Sequence, residues 1–290
     1  MTHRLGVLGW PVAHSRSPAI HNAALSALGL TDWHYQRLPV APGVFAETVR
    51  ALPAAGFVGA NVTIPHKRAA LALSTNRSEA AAAIGAANTL TFAPDGAIAA
   101  ENTDAPGLML AINALLELPA HPRALVLGAG GSARAAVWAL REAGAEVSVW
   151  NRTSARARAL AEELSVRAVD APEPADVLVN CTSVGLEDAS RIELSASADQ
   201  ALNQLGITFD QVGEYPNVVD LVYRSGSTQL LAAARAHGSR TVDGLEVLVA
   251  QGALSLEIWT GRRAPIEHMR RAVQQQDREA SVTKEGRAAG

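Results

Sequence analysis

The chain has 290 residues, 48% of them hydrophobic and 18% charged, with a formal net charge of −3; this predicts a globular protein with a sizeable core and two domains. Neither half carries a basic block and no apolar stretch is long enough to span a bilayer, so neither a nucleic-acid nor a membrane partner is expected. Cys181, the single cysteine, cannot form an internal disulfide, and turn residues at Gly9 and Pro11 interrupt any signal-peptide core, which predicts a cytoplasmic protein.

Residues 4–8, RLGVL, read as a short strand. Residues 17–30 read as a helix with Ser17 as N-cap and Pro18 at its first position. A strand follows at 34–40, a helix at 43–56 that ends on glycine, and a further strand at 59–64. The stretch NVTIPHK (61–67) stops that strand at Pro65 and leaves His66 and Lys67 at its end. A lysine there suits an ordinary solvated surface or a proton donor at the mouth of a cleft.

A second unit begins near residue 105. Residues 123–153 spell strand, glycine turn, helix, strand, and more strands are expected at 177–185 and 218–223. Such alternation predicts a mostly parallel sheet covered by helices. The connection 186–217 is long for a doubly wound sheet. Its polar composition predicts a peripheral segment that protrudes from the second domain, with a short helix at 195–206. Helical patterns return at 245–261 and 265–276, and the polar, aperiodic residues 277–290 read as a disordered tail.

LGAGGSARA (127–135) gives Gly128-x-Gly130-x-x-Ala133 between an apolar strand and a helix. Gly128 allows the tight turn, Gly130 a close approach to pyrophosphate, and Ala133 close packing of helix on strand. The helix N-terminus behind them favours anions. At the end of the next strand, where an NAD site places a carboxylate, stand Asn151, Arg152 and Thr153. These suit a 2′-phosphate, so NADP is the expected cofactor.

Four further stretches, GWPVAHSRSPAIHN (9–22), NVTIPHK (61–67), GAANTL (85–90) and NTDAPG (102–107), resemble the signature segments of the shikimate/quinate dehydrogenase family. GAGGSARA, NRT and DGLEVLVAQGALSLEIWTG continue the likeness in the same order, so that it covers roughly residues 4–275. The resemblance implies an α/β fold of two domains with the active site in the cleft between them. Residues 1–104 with 243–276 would form the substrate-binding and catalytic domain, and 105–242 the NADP-binding Rossmann domain. It implies reduction of 3-dehydroshikimate to shikimate, in aromatic amino-acid biosynthesis, by a monomer or homodimer without a metal. Lys67 and Asp104 would be the acid–base pair. Ser15 and Ser17 would hold the substrate carboxylate, and Thr63, Asn88, Tyr223 and Gln251 would surround the ring. To the cofactor set it adds Ala129, Gly131, Ser132, Thr182, Val222 and Gly244. Quinate dehydrogenase is the near alternative; a non-catalytic ligand-binding regulator is a different class, disfavoured because Lys67 and Asp104 are both present. Ser225 and Gln229 stand where the family usually has prolines, and the 186–217 connection is longer than the family leads one to expect.

Overall fold

The computed structural model describes residues 2–186, 196–224 and 226–276. Ser225, the first part of the long connection and the tail after 276 lie outside the described residues. The chain divides into two compact units, Met1–Gly107 with Leu248–Gly290, and Leu108–Val247. Each is built on a six-stranded sheet, giving the α/β architecture expected.

In the first unit the strands are β1 (His3–Gly9), β2 (Trp33–Pro39), β3 (Phe57–Val62), β4 (Asn76–Arg77), β5 (Thr89–Phe92) and β6 (Ile98–Glu101), in the order β2-β1-β3-β5-β6-β4. All run parallel except β5, which pairs antiparallel with both β3 and β6. The pattern of residues 89–101, alanine and threonine around a glycine turn, gave no strand signal. The reversal matters, because it brings the start of β5 to the ends of β3 and β6, with Asn61 opposite Thr89 and Thr89 opposite Glu101. Helix α1 (Ser17–Ala27) begins at Ser17, but Ser17 is not the N-cap. Arg16 takes that place, without a side-chain cap, because Ser17 pairs with Ser15 instead.

The second unit continues with β7 (Arg123–Leu127), β8 (Glu146–Trp150), β9 (Arg167–Ala168), β10 (Val177–Asn180), β11 (Asn217–Asp220) and β12 (Arg240–Val242). Its order, β12-β11-β10-β7-β8-β9, is wholly parallel, the doubly wound dinucleotide-binding topology. Alternate residues of β7 face opposite cores. Ala124 and Val126 join Ala133, Val137 and Leu140 of the helix Gly131–Glu142, whereas Leu125 and Leu127 turn the other way. That other face is covered by Leu202, Leu205, Ile207, Val212 and Tyr215. The described part of the long connection is therefore a sheet cover, not the protruding segment its polar composition suggests. Its apolar residues are irregularly spaced and show their purpose only against β7 and β10.

Two helices cross the boundary between the units: α5 (Asp104–Leu115) and α11 (Gly244–Thr260). They meet at Gly107, where an added Cβ would lie 2.7 Å from the backbone nitrogen of Gln251 and 2.8 Å from its Cα. At the end of β11 the buried Asp220 carboxylate accepts from Thr228 Oγ1 (2.6 Å), Asn180 Nδ2 (2.9 Å) and Val222 N (3.1 Å). Asn180 Oδ1 in turn accepts from Thr182 N and Oγ1, so one carboxylate ties together the loops after β10 and β11.

Gly107→Ala reverses a familiar sign. In an open helix the change gains about 1 kcal/mol, but here the methyl meets backbone and the protein should lose about 1–3 kcal/mol. Urea unfolding checks this, and a stabilised variant contradicts the close crossing. Asp220 gives a pH prediction. Burial, aided by the nearby Asp243 charge, lifts its carboxyl from 3.8 to about 6 against the pull of its three donors. A folded value above the unfolded one means a contribution complete below about pH 4 and lost as pH rises through about 6. Between pH 4 and 7.5 the wild type should therefore lose about 2–3 kcal/mol relative to Asp220→Asn. Unfolding curves that stay parallel across that range contradict it.

Candidate active site

After β3 the chain turns through residues 63–66. Thr63 N donates to Leu8 O at 2.8 Å and His66 N to Thr63 O at 2.9 Å, which makes Lys67 the first residue of α3 (Lys67–Leu73). The two neighbours then part. His66 is buried, stacked on Phe45 at 4.3 Å, with Nε2 donating to Val40 O at 2.7 Å. Lys67 Nζ donates to Asp104 Oδ2 at 2.6 Å, with side chains 10% and 18% exposed.

Asp104 opens α5, where the positive end of the helix dipole favours a carboxylate. Asn102 secures that start, since its Oδ1 accepts from Ala105 N (3.1 Å) and its Nδ2 donates to Ala86 O (2.9 Å). Asn88, just before β5, is delivered to the same place by the strand reversal. Its Nδ2 donates to Asp104 Oδ1 at 2.9 Å and reaches Gln251 Oε1 at 3.2 Å. Lys67, Asn88, Asp104 and Gln251 thus form one hydrogen-bonded cluster from four separate segments. Ser15 and Ser17 are both buried and share a bond, Ser15 Oγ donating to Ser17 Oγ at 3.3 Å. Arg37 holds the Ser15 carbonyl with Nε and Nη2 at 2.9 and 2.7 Å. The half-buried Thr63 opens the turn that leads from β3 to Lys67.

In the second unit Gly128 has φ +112°, a conformation that favours glycine. A Cβ there would also sit 3.2 Å from the Cys181 carbonyl carbon and 3.3 Å from Thr182 Cγ2, so Gly128 and Thr182 are neighbours across β7 and β10. Gly130 caps the helix that begins at Gly131 and faces open space, with nothing within 4 Å of an added Cβ. Ala129 and Ser132 flank it, and Ala133 is buried in the core. Backbone N–H groups of a helix N-terminus beside open space fit a pyrophosphate. After β8, Asn151 Nδ2 donates to Thr153 O at 3.0 Å and shapes the turn, while Arg152 and Thr153 are exposed. An exposed guanidinium fits a 2′-phosphate. Val222 and Tyr223 lie on the loop after β11, and Gly244 packs against its first residues, a Cβ there falling 2.7 Å from the Leu221 carbonyl carbon.

Residues the sequence reading passed over are Asn61, Thr89, Thr103 and Ser255, all buried and hydrogen-bonded beside Asn88. A signal was present: asparagine sits in an otherwise apolar strand, and Ser255 lies one helical turn beyond Gln251 on the same face.

Family models match three stretches: the shikimate dehydrogenase substrate binding domain at residues 7–90, shikimate / quinate 5-dehydrogenase at 113–184, and the shikimate 5′-dehydrogenase C-terminal domain at 244–274. A shikimate dehydrogenase (NADP(+)) from Paracoccus denitrificans is 43% identical over 282 residues, covering 92% of this chain and 94% of that protein. The crystal structure of shikimate 5-dehydrogenase from Thermus thermophilus in complex with NADP(H) and shikimate superposes with a TM-score of 0.79 at 43% identity, covering 95% of this chain and 99% of that one. A ligand-free 5-ketofructose reductase from a Gluconobacter species shares the fold at 28% identity, with a TM-score of 0.77 and coverage of 95% and 99%. Extended sequence identity to such relatives, with the shared fold, shows that the chain belongs to the shikimate dehydrogenase family.

Proposed function

We propose that this protein is an NADP-dependent shikimate dehydrogenase that interconverts 3-dehydroshikimate and shikimate. The observation that carries the reading is the Lys67–Asp104 pair at 2.6 Å, braced on its far oxygen by Asn88. Bound NADPH supplies a hydride, and the carbonyl oxygen that becomes an alcohol needs one proton. Lys67 Nζ is the donor for that oxygen and Asp104 accepts from Lys67, so the pair moves the proton and offsets developing charge. Ser15 and Ser17 hold the substrate carboxylate, with Thr63, Asn88, Tyr223 and Gln251 around the ring hydroxyls. Gly128 to Ala133 cradle the pyrophosphate, Thr182, Val222 and Gly244 border the cofactor, and Asn151, Arg152 and Thr153 take its 2′-phosphate.

The place of the reaction is aromatic amino-acid biosynthesis in the cytoplasm. Among the described residues no helix is long and apolar enough to cross a membrane. Following NADP+ reduction with shikimate and with quinate tests the assignment directly; quinate as the better substrate would replace it with the neighbouring activity.

Lys67→Ala should lower turnover by roughly 10²–10⁴ while leaving the KM for shikimate within a modest factor. Steady-state kinetics that return near-normal turnover would remove Lys67 from the chemistry. His66→Ala, by contrast, deletes a buried ring and should show as lost stability more than lost turnover. Arg152→Ala should weaken NADP roughly 10- to 150-fold and leave NAD almost unchanged, because only NADP offers the phosphate. kcat/KM for both cofactors checks this; equal small losses would make Arg152 an ordinary surface residue.

A further inference from the structure

Beside Asn88 three buried hydroxyls meet. Thr89 Oγ1 and Ser255 Oγ are 2.8 Å apart, Ser255 Oγ and Thr103 Oγ1 3.0 Å, and Thr103 Oγ1 and Thr89 Oγ1 3.2 Å. The amides around them are oriented by backbone groups that allow one reading only. The Thr103 N–H must donate, and does so to Asn88 Oδ1 at 2.7 Å. The Asn88 carbonyl must accept, and does so from Asn61 Nδ2 at 3.1 Å. Gln251 Nε2 is taken by the Leu248 carbonyl at 2.8 Å. Asn88 is thereby compelled to turn its NH₂ toward Asp104 Oδ1 and Thr103 Oγ1, both at 2.9 Å.

Ser255 is the member of this group that comes from the far end of the chain. Its hydroxyl accepts from Asn61 Nδ2 at 2.9 Å, contacts both threonines, and donates to the Gln251 carbonyl at 3.1 Å. Asn61 is held from its other side by the Tyr35 hydroxyl at 2.8 Å. Alanine at 255 would take from Thr103 Oγ1 its link to α11, leaving that hydroxyl only Thr89 and Asn88 as partners. With one anchor fewer, Thr103 holds the Asn88 amide less firmly.

We propose that Ser255 is a positioning residue for the reaction. It anchors Thr103, whose N–H and Oγ1 hold Asn88 in the orientation that presents an amide N–H to Asp104, and so steadies the Lys67–Asp104 pair. The proposal rests on the reading of that pair as the proton-transfer machinery.

The test is steady-state kinetics of NADP+ reduction by shikimate for wild type, Ser255→Ala and Ser255→Thr, with thermal unfolding alongside. Ser255→Ala should lose about tenfold in kcat, with the KM for NADP unchanged, and Ser255→Thr, which keeps the hydroxyl, should recover most of it. A lower Tm with kcat retained would make Ser255 purely structural and overturn the proposal, as would a threonine variant as impaired as alanine. If alanine at 255 prevents folding, Ser255→Cys, similar in size and a poor hydrogen-bonding group, must show the same loss in kcat. A wild type without shikimate-dependent activity fails the functional reading itself. An active wild type with an unimpaired Ser255→Ala fails Ser255 alone.

Discussion

An ammonium taken almost wholly out of water is tolerable only beside an opposite charge, and Lys67 meets that constraint with Asp104. Removing either partner from such a pair leaves an uncompensated charge in a place of weak screening. Much of the first unit exists to keep the two together. The cluster needs the end of β3, the start of α3 and the start of α5 at one spot, and β5 running backwards between β3 and β6 supplies the spacing. Asn102 fixes the start of α5 on the loop before Asn88. Gly107 then lets α11 come close enough for Gln251 to join.

The second unit answers a different demand. An anionic ligand needs backbone donors and freedom from side chains, and the first turn after β7 provides both at Gly128 and Gly130. The neighbouring strand ends are stiffened from beneath by Asp220, which gathers Asn180, Val222 and Thr228. The Lys67–Asp104 cluster thus lies in one unit and the glycine turn after β7 in the other. This division suits a reaction in which a hydride and a proton come from different sources.

What could be read in the sequence was local or came with the family likeness. The glycine loop announces itself because strand, turn and helix lie within one short stretch, and Ala133 is buried as that motif requires. Lys67 was conspicuous because a proline ends the strand before it. Ser17 misled, since a serine ahead of a helical pattern usually caps it, yet its hydroxyl is claimed by Ser15. Residues 196–217 misled because burial of Leu202, Leu205 and Tyr215 depends on a sheet face that the segment itself does not encode. Asn61, Thr89, Thr103 and Ser255 are scattered over the chain, and only the reversal of β5 makes neighbours of them.

Because the first unit is assembled from both ends of the chain, its completion is a matter of timing during synthesis. While the ribosome works through the residues of the second unit, on the order of ten seconds at typical rates, Asn61, Thr89 and Thr103 wait without Ser255. The Leu90 carbonyl likewise waits for the Trp259 indole that will donate to it at 3.0 Å. The Leu108–Val247 unit has no such dependence, because all of its strands are contiguous in the chain. A nascent protein halted just after Val247 would own β7 to β12 and lack Gln251 and Ser255 of α11. Completion of the Lys67–Asp104 cluster therefore follows the synthesis of the whole second unit.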